Sequence, residues 1–305
     1  DFDDKMEELA SQYTDTLSEA LASTSEELLD KYFEEGEISQ EEAVEALHQG
    51  IIDGSIVPVF SGSAVNLWGI TFLLDTIADS FPRPTAKKVE KIIDGDGYKD
   101  IAIDPDGEPA IFVFKTIADP FVGKMSFFKV MSGKLTNEMT LKNTSTGAAE
   151  KMAHIYTMRG KKQTDVTEIT AGDIGVITKL ATAKTGDTLC DPARVVSLPT
   201  AAFPNPTLSM ALKVAKKGDE GKIGAALARL MEEDPTINFR VDGETGQQLL
   251  SGLGEQHLDV VCARLKAKFG VDVTLTTPRV AYRESVRKKC KAQGRHKKQT
   301  GGHGQ

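Results

Sequence analysis

Apolar residues recur every three or four positions near the start of the chain, which is the spacing of amphipathic helices. One such stripe within residues 1–50 comprises Met6, Leu9, Ala10, Tyr13, Leu17, Ala20 and Leu21. A second helix is predicted from Ser25 to about Phe33. The pair Ser39 and Glu42 forms a capping-box sequence, which predicts the start of a third helix. The N-terminal segment is therefore predicted to be helical.

A short apolar run at 56–60 interrupts this helical pattern and is typical of a buried strand. The small residues of 61–64 follow it, and residues 69–80 form an apolar helix pattern that Pro82 ends. Helix, strand, loop and helix in this order predict the last part of an α/β sheet domain over residues 1–84.

The hydrophobic pattern changes after residue 84. Residues 85–109 contain two clusters of turn formers, Asp94–Gly97 and Asp104–Gly107, and are interpreted as a linker. Residues 110–203 contain short aromatic and β-branched runs with a turn about every 8–12 residues. Because no helical period accompanies these runs, we predict a closed β-barrel.

Residues 204–278 alternate between strand and helix patterns in the order β-α-β-β-α-β. This order is typical of a ferredoxin-like split βαβ sandwich. Residues 279–305 then begin a further basic β segment. The predicted fold class is multidomain α+β: a partial α/β domain, a β-barrel and a ferredoxin-like sandwich.

The length of 305 residues favours two or three domains, and the composition is that of a globular protein. No run approaches about 18 consecutive apolar residues, so we expect no membrane contact. The three cysteines are widely spaced and form no metal-binding motif, which favours a reducing compartment and a cytoplasmic protein.

The charge of the chain is strongly polarised between its ends. Residues 1–48 carry a net charge of −14, whereas residues 279–305 carry +8 with Glu284 as their only acid. Dense cations with few counter-charges are typical of a surface that meets nucleic acid. An acidic helical surface exposed to solvent is the simpler interpretation of the first segment.

The sequence offers no constellation for catalysis. No G-x-x-x-x-G-K-[ST] segment is present, so nothing here is expected to hold a triphosphate. The histidines are too scattered for a metal site, and no Ser/His/Asp or Cys/His arrangement stands out. His257 is interpreted as a packed or capping residue. We expect no catalytic residue and no bound metal in this chain.

Eight short motifs in fixed order give the chain a resemblance to the elongation factor G family. They are Ile56–Val59 with Gly62–Ala64, Asp119–Lys124, Ala171–Ile174, Thr185–Cys190, Glu232–Thr236, Ser251–Leu258, Val280–Glu284 and Gln299–Gln305. The resemblance implies the tail of a GTPase domain (1–84), domain II (110–203), domain III (204–278) and the start of domain IV (279–305). The chain is thus expected to be a segment of a longer GTPase.

The resemblance also implies function. Such factors bind the ribosome and use GTP hydrolysis to drive translocation of tRNA and mRNA. By position, Ser63 and Ala64 would border the guanine of GTP or GDP, held with Mg²⁺ in the intact protein and not by this segment alone. The implied partners are ribosomal RNA and proteins directly and tRNA and mRNA indirectly, and a monomer is expected. The residues expected to face RNA are Lys124, Arg287, Lys288, Lys289, Arg295, Lys297 and Lys298.

Two positions depart from the common family pattern. His303 stands where many members have Arg, and Gln256 replaces the commoner Leu before His257. An elongation factor G-like paralogue that recycles or protects ribosomes is therefore an alternative. A free-standing RNA-binding module built from the barrel and the sandwich is another.

Overall fold

A computed structural model describes residues 3–216 and 218–294 of the chain. The chain divides into two compact units, Asp1–Phe114 with Phe127–Pro199 and Lys115–Ser126 with Thr200–Gln305. No described helix has the length and apolar character needed to cross a membrane.

The predicted N-terminal helices are present in the first unit. Their bounds are α1 Asp4–Ala22, α2 Glu26–Glu35, α3 Gln40–Asp53 and α4 Ile70–Ser80, followed by a 3₁₀ turn at Pro84–Ala86. The capping box at the start of α3 is formed: Glu42 N–H donates to Ser39 Oγ, and Ser39 N–H donates to Glu42 Oε2 at 2.9 Å. Gly36 ends α2 in the left-handed conformation.

The apolar stripe of α1 lies largely in solvent. Met6, Tyr13 and Leu17 are more than half exposed, and only Leu21 and Ala22 of this helix are buried. The helical period is therefore correct, but the stripe does not mark a buried face within the described residues.

The predicted buried strand at 56–60 is wrong. The segment is extended without strand pairing, and Val57 and Val59 are 77% and 90% exposed. A parallel strand requires a neighbouring strand for its hydrogen bonds, and no described segment pairs with this one. Two contacts hold the segment: Ile56 N–H donates to Gly50 O at 2.9 Å, and the ring of Phe60 packs edge-on against Phe72.

The segment interpreted as a linker contains a β-hairpin. Strands β1 (Val89–Asp94) and β2 (Gly97–Ala102) pair antiparallel across a two-residue turn, with Gly95 at a φ of +60°. Ile92 and Ile101 are buried in a small core with Ala110, Cys190 and Val196. The hairpin is thus packed against the barrel end rather than free.

The barrel region consists of short antiparallel strands around one apolar core. The strands are β3 Ala110–Asp119, β4 Gly123–Ser132, β5 Lys134–Thr136, β6 Thr140–Asn143, β7 Ala149–Lys151, β8 Ile155–Arg159, β9 Lys162–Val166, β10 Glu168–Thr170, β11 Ile174–Thr178 and β12 Thr188–Cys190. Eight of them form a sheet in the order β7-β6-β12-β3-β4-β11-β8-β9, and β5 pairs with β10. Fully buried side chains such as Phe128, Ile111 and Leu189 fill the core.

The second unit contains the predicted sandwich. Its elements are β13 Leu208–Val214, α5 Glu220–Glu233, β14 Asn238–Val241, β15 Gln248–Gly252, α6 Glu255–Phe269 and β16 Val273–Thr276. The sheet order β14-β15-β13-β16 is that of a ferredoxin-like fold, and helix and strand residues share one core. The multidomain α+β prediction is confirmed. By contrast, residues 279–294 contain no strand, so the predicted β segment is absent from the described part of the C-terminal region.

Candidate functional site

The loop that was predicted to border guanine is shaped by its own backbone. Ser63 and Trp68 exchange two backbone hydrogen bonds, both 3.1 Å long, and Ser63 Oγ accepts from Asn66 N–H. Gly62 is required here, because a Cβ would lie 2.6 Å from Trp68 O. Leu67 closes the turn at a φ of +60°, a conformation uncommon for this residue type.

This arrangement separates the two predicted guanine contacts. The N–H of Ser63 is already donated to Trp68 O, whereas no group in the described residues accepts the N–H of Ala64. Ala64 is exposed and carries only a methyl side chain, so another molecule can approach its backbone closely. Ala64 N–H is therefore the available donor of the loop, and Ser63 is the residue that holds the loop in shape.

Lys124, predicted to face RNA, is the second residue of β4 and lies just after the tip of the β3–β4 hairpin. Asp119 shapes this tip, since its Oδ1 accepts from Phe121 N–H and Val122 N–H, each at 2.8 Å. These two hydrogen bonds lower the pKa of Asp119. Phe121 projects almost fully into solvent. Lys124 itself is half-buried, and no acid of the described chain pairs with it.

The predicted RNA-facing residues of the C-terminal region fall into two groups. Arg287, Lys288 and Lys289 are exposed, and none of them has an ion-pair partner in the described structure. Arg295, Lys297 and Lys298 lie outside the described residues.

The segment before these cations is attached to the β14–β15 turn. Arg279 N–H donates to Gln247 Oε1 at 2.7 Å, and Arg283 pairs with Glu244. The segment that precedes the basic residues is therefore anchored to the sandwich by these two contacts.

His257 connects the loop after β15 to the C-terminal end of α5. Its Nδ1 accepts from Leu253 N–H at 3.0 Å, so Nε2 carries the proton and donates to Asp234 Oδ2 at 3.0 Å. Burial raises the pKa of Asp234, but hydrogen bonds from Thr236 and His257 outweigh this effect and lower it. The packing role predicted for His257 agrees with these contacts.

Glu233 is a buried acid at the end of α5. Its Oε1 accepts from Lys268 Nζ at 2.5 Å and from Ala118 N–H at 2.7 Å, and its side chain is 8% exposed. The negative charge at a helix C-terminus is unfavourable to the helix dipole, and the Lys268 ammonium offsets it.

Glu150 is the polar residue that sequence reasoning missed. It lies on β7 with 2% of its surface exposed, and its carboxylate accepts four hydrogen bonds. The donors are Ala181 N–H, Thr182 N–H, Thr182 Oγ1–H and Ala183 N–H, at 2.6–2.9 Å. Burial raises the pKa of Glu150, and these bonds overcome that effect and lower it. No sequence signal marks it, because its partners lie more than 30 residues away.

The described residues contain no group of three or more His, Cys, Asp or Glu side chains that could hold a metal ion. The polar clusters are internally satisfied, as the Glu150 and Asp234 sites show. Among the groups available for a partner are the backbone donor of Ala64 and the unpaired cations at 287–289.

Comparison with known proteins identifies the barrel and the sandwich. Residues 108–192 match the family "Elongation factor G domain 2", and residues 203–277 match "Elongation Factor G, domain III". A crystal structure of a protein from Thermus thermophilus matches 92% of the chain with a TM-score of 0.74 and 29% sequence identity. The chain spans 40% of the length of that protein. With domains II and III of elongation factor G in sequence, the chain belongs to the elongation factor G-like translational GTPases.

Proposed function

We propose that this chain is the central part of a translational GTPase that binds the ribosome and promotes movement of tRNA and mRNA. The observation that carries the proposal is the succession of two elongation factor G domains along one chain. Their fit to a barrel and a ferredoxin-like sandwich supports it.

In this proposal the nucleotide belongs to the intact protein. GTP or GDP with Mg²⁺ would be held mainly by residues that this chain lacks, since the sequence contains no phosphate-binding loop. The contribution of this chain is Ala64 N–H, which can donate to the carbonyl oxygen of guanine, with Ser63 maintaining the loop. We accordingly propose that the chain alone does not hydrolyse GTP.

Binding to the ribosome is proposed to act through phosphate groups. Arg287, Lys288 and Lys289 present unpaired charges without aromatic residues among them, which suits contact with an RNA backbone rather than reading of bases. Lys124 is a weaker candidate, because its side chain is half-buried.

Of the two related functions, translocation is proposed first. Of the two departures that suggest a paralogue, His303 lies outside the described residues. The other, Gln256, is exposed on α6 and leaves the bond between His257 and Asp234 intact. It therefore changes no contact that the fold depends on. A role in ribosome recycling or protection is the second candidate, and a free-standing RNA-binding module is less consistent with a match that spans only part of a longer protein.

Co-sedimentation with purified ribosomes at low and moderate salt tests the proposal. We expect binding that weakens as salt rises, because phosphate contacts release counterions. The variant R287Q/K288Q/K289Q should bind less than wild type. Sedimentation that is absent at both salt concentrations would contradict ribosome binding by this part of the factor.

A GTP hydrolysis assay tests the second part of the proposal. The chain alone, with or without ribosomes, should release no phosphate above the buffer rate. The factor that contains the complete GTPase domain is the positive control. Turnover by the isolated chain would show that the catalytic assignment is wrong.

A further inference from the structure

A cleft of about 490 Å³ lies in the first unit, between α3, the end of α4 and the segment that leads to β1. Val44, Glu45 and His48 line it from α3, and Ala78 and Asp79 line it from α4. Clefts of this size hold small organic molecules. The space is therefore sufficient for a ligand such as an amino acid or a short peptide.

Local contacts hold the walls of this cleft in place. His48 Nδ1–H donates to Ser80 O at 2.8 Å, which ties α3 to the last residue of α4. Pro84, in the turn after α4, packs so closely on Gly172 that a Cβ at this glycine would lie 2.8 Å from Pro84 Cβ. The cleft is thus formed by the fold itself, before any ligand is present.

Side chains of both charges line this cleft. The two acids of the cleft, Glu45 and Asp79, come from the helices, whereas its two cations, Arg83 and Lys88, come from the segment before β1. None of these four side chains forms an ion pair with another described residue. Opposite charges therefore border one concave space without contacting each other across it.

The mixed charge restricts the class of ligand. The two acids would repel a phosphate group, and the two cations would repel a polyamine. Among the described residues no three His, Cys, Asp or Glu side chains could hold a metal ion together, so Glu45, His48 and Asp79 do not form a metal site. An apolar ligand would remove water from four charges and give them no partner in return. A ligand that carries one ammonium and one carboxylate would satisfy both groups of charges.

We propose that this cleft binds a small zwitterion of the amino acid class. Its carboxylate contacts the two cations of the cleft, because guanidinium and ammonium groups form charge-assisted hydrogen bonds with carboxylates. Its ammonium donates to the two acids. Val44 and Phe81 add apolar surface for an aliphatic side chain. The inference goes beyond the proposed function and is independent of it, since the site needs neither a ribosome nor a nucleotide.

An NMR titration of the ¹⁵N-labelled 305-residue chain tests the proposal. The probes are leucine and the dipeptide leucyl-glycine, and each should shift the amide signals of residues that line the cleft. Leucinamide lacks the carboxylate, and N-acetyl-leucine lacks the ammonium. Each of these analogues should bind roughly tenfold more weakly than leucine, because one set of charge-assisted hydrogen bonds is lost.

Two variants assign each charge of the ligand to its wall. R83Q/K88Q should weaken leucine binding roughly tenfold and leave the affinity for leucinamide unchanged, because leucinamide has no carboxylate. E45Q/D79N should weaken leucine binding to a similar extent and leave the affinity for N-acetyl-leucine unchanged. All four positions are exposed, so the substitutions should preserve the fold.

The matched control variants change the same net charge outside the cleft. K91Q/K99Q removes two exposed lysines from the β1–β2 hairpin, and E41Q/D75N removes exposed acids four residues earlier on the same two helices. Both controls should retain the wild-type affinity for leucine within about twofold, because salt screens charges that do not contact the ligand.

Three results would overturn the inference. They are the absence of binding by both leucine and leucyl-glycine, equal affinity for leucine and its two analogues, and losses of equal size in the cleft and control variants. Binding of N-acetyl-leucine as tight as that of leucine would identify a site for simple anions, which would also refute a zwitterion site.

Discussion

Replacing Glu150 with Gln should destabilise the barrel by about 3 kcal/mol while preserving the shape of the side chain. In wild type, Oε2 accepts from Ala181 N–H, and Oε1 accepts from Ala183 N–H and from both donors of Thr182. A glutamine amide has one acceptor oxygen. If that oxygen replaces Oε1, the NH₂ group faces Ala181 N–H, and this partly buried donor loses its acceptor.

The magnitude follows from these four bonds. An unsatisfied buried N–H costs about 1–3 kcal/mol, and each hydrogen bond to a charged acceptor is worth about 1 kcal/mol more than one to a neutral acceptor. One lost bond and three weakened bonds add up to roughly 4–6 kcal/mol. A neutral amide costs less to bury than a carboxylate, which offsets part of this sum and leaves a net loss of about 3 kcal/mol. The Ala variant would lose all four acceptor contacts and should be less stable than the Gln variant.

Hydrogen exchange measured by mass spectrometry reports this loss for the barrel separately from the sandwich. A loss of about 3 kcal/mol should accelerate exchange of the core barrel amides roughly a hundredfold, with little change in the sandwich. Glu168→Gln is the control, since this acid is exposed on β10 of the same barrel. Wild-type exchange rates in E150Q would refute the assigned role of the carboxylate.

The effect of E150Q should also depend on pH. Because the folded-state pKa of Glu150 lies below its ordinary value of 4.5, the carboxylate stabilises the fold fully above that value. This contribution is lost as the pH falls below 4.5 toward the lowered folded-state pKa. Wild type and E150Q should therefore converge in stability on acidification, and a constant difference through this range would contradict the linkage.

Three further substitutions probe other parts of the structure. Gly175→Ala should lower the free energy of unfolding of the barrel, measured in urea, by about 1–3 kcal/mol, because its Cβ would lie 2.5 Å from Cζ of the buried Phe128. An unchanged free energy would show that the core side chains rearrange to accommodate the methyl group. Ser39→Ala should remove the capping box and reduce protection of α3 by about 1 kcal/mol in hydrogen exchange, with unchanged protection arguing against the cap. Asp234→Asn weakens the acceptor of the His257 bond and should lower the opening free energy at the start of α6, measured by hydrogen exchange, by about 1–3 kcal/mol. Asp259→Asn, on the exposed face of α6, should leave this free energy unchanged.

The barrel and the sandwich could be predicted because each strand and helix has its own hydrophobic period, even though paired strands lie far apart in the sequence. In the sandwich, β13 pairs with both β15 and β16, and the alternation of strand and helix patterns indicated that order. The β1–β2 hairpin was missed although its signal was present. A two-residue Gly-Asp turn, here Gly95-Asp96, between runs that contain apolar residues is typical of a hairpin.

The polar contacts could not be predicted from sequence. Glu150 receives its hydrogen bonds from residues 181–183, and Glu233 receives one from Lys268. Such pairs depend on the three-dimensional approach of distant segments, which hydrophobic periodicity does not encode.

The two errors in the N-terminal region have the same cause. A hydrophobic pattern records which side chains favour burial, and it contains no information on what buries them. Residues 56–60 and the stripe of α1 have the pattern of buried elements, yet Val57, Val59 and most of the α1 stripe are exposed, because the described segments cover them only in part. The loop at Ser63 and Ala64 forms nevertheless, since its shape depends on the two hydrogen bonds between Ser63 and Trp68. Local bonds thus preserve the candidate guanine contact even where the sheet that would support it is not formed.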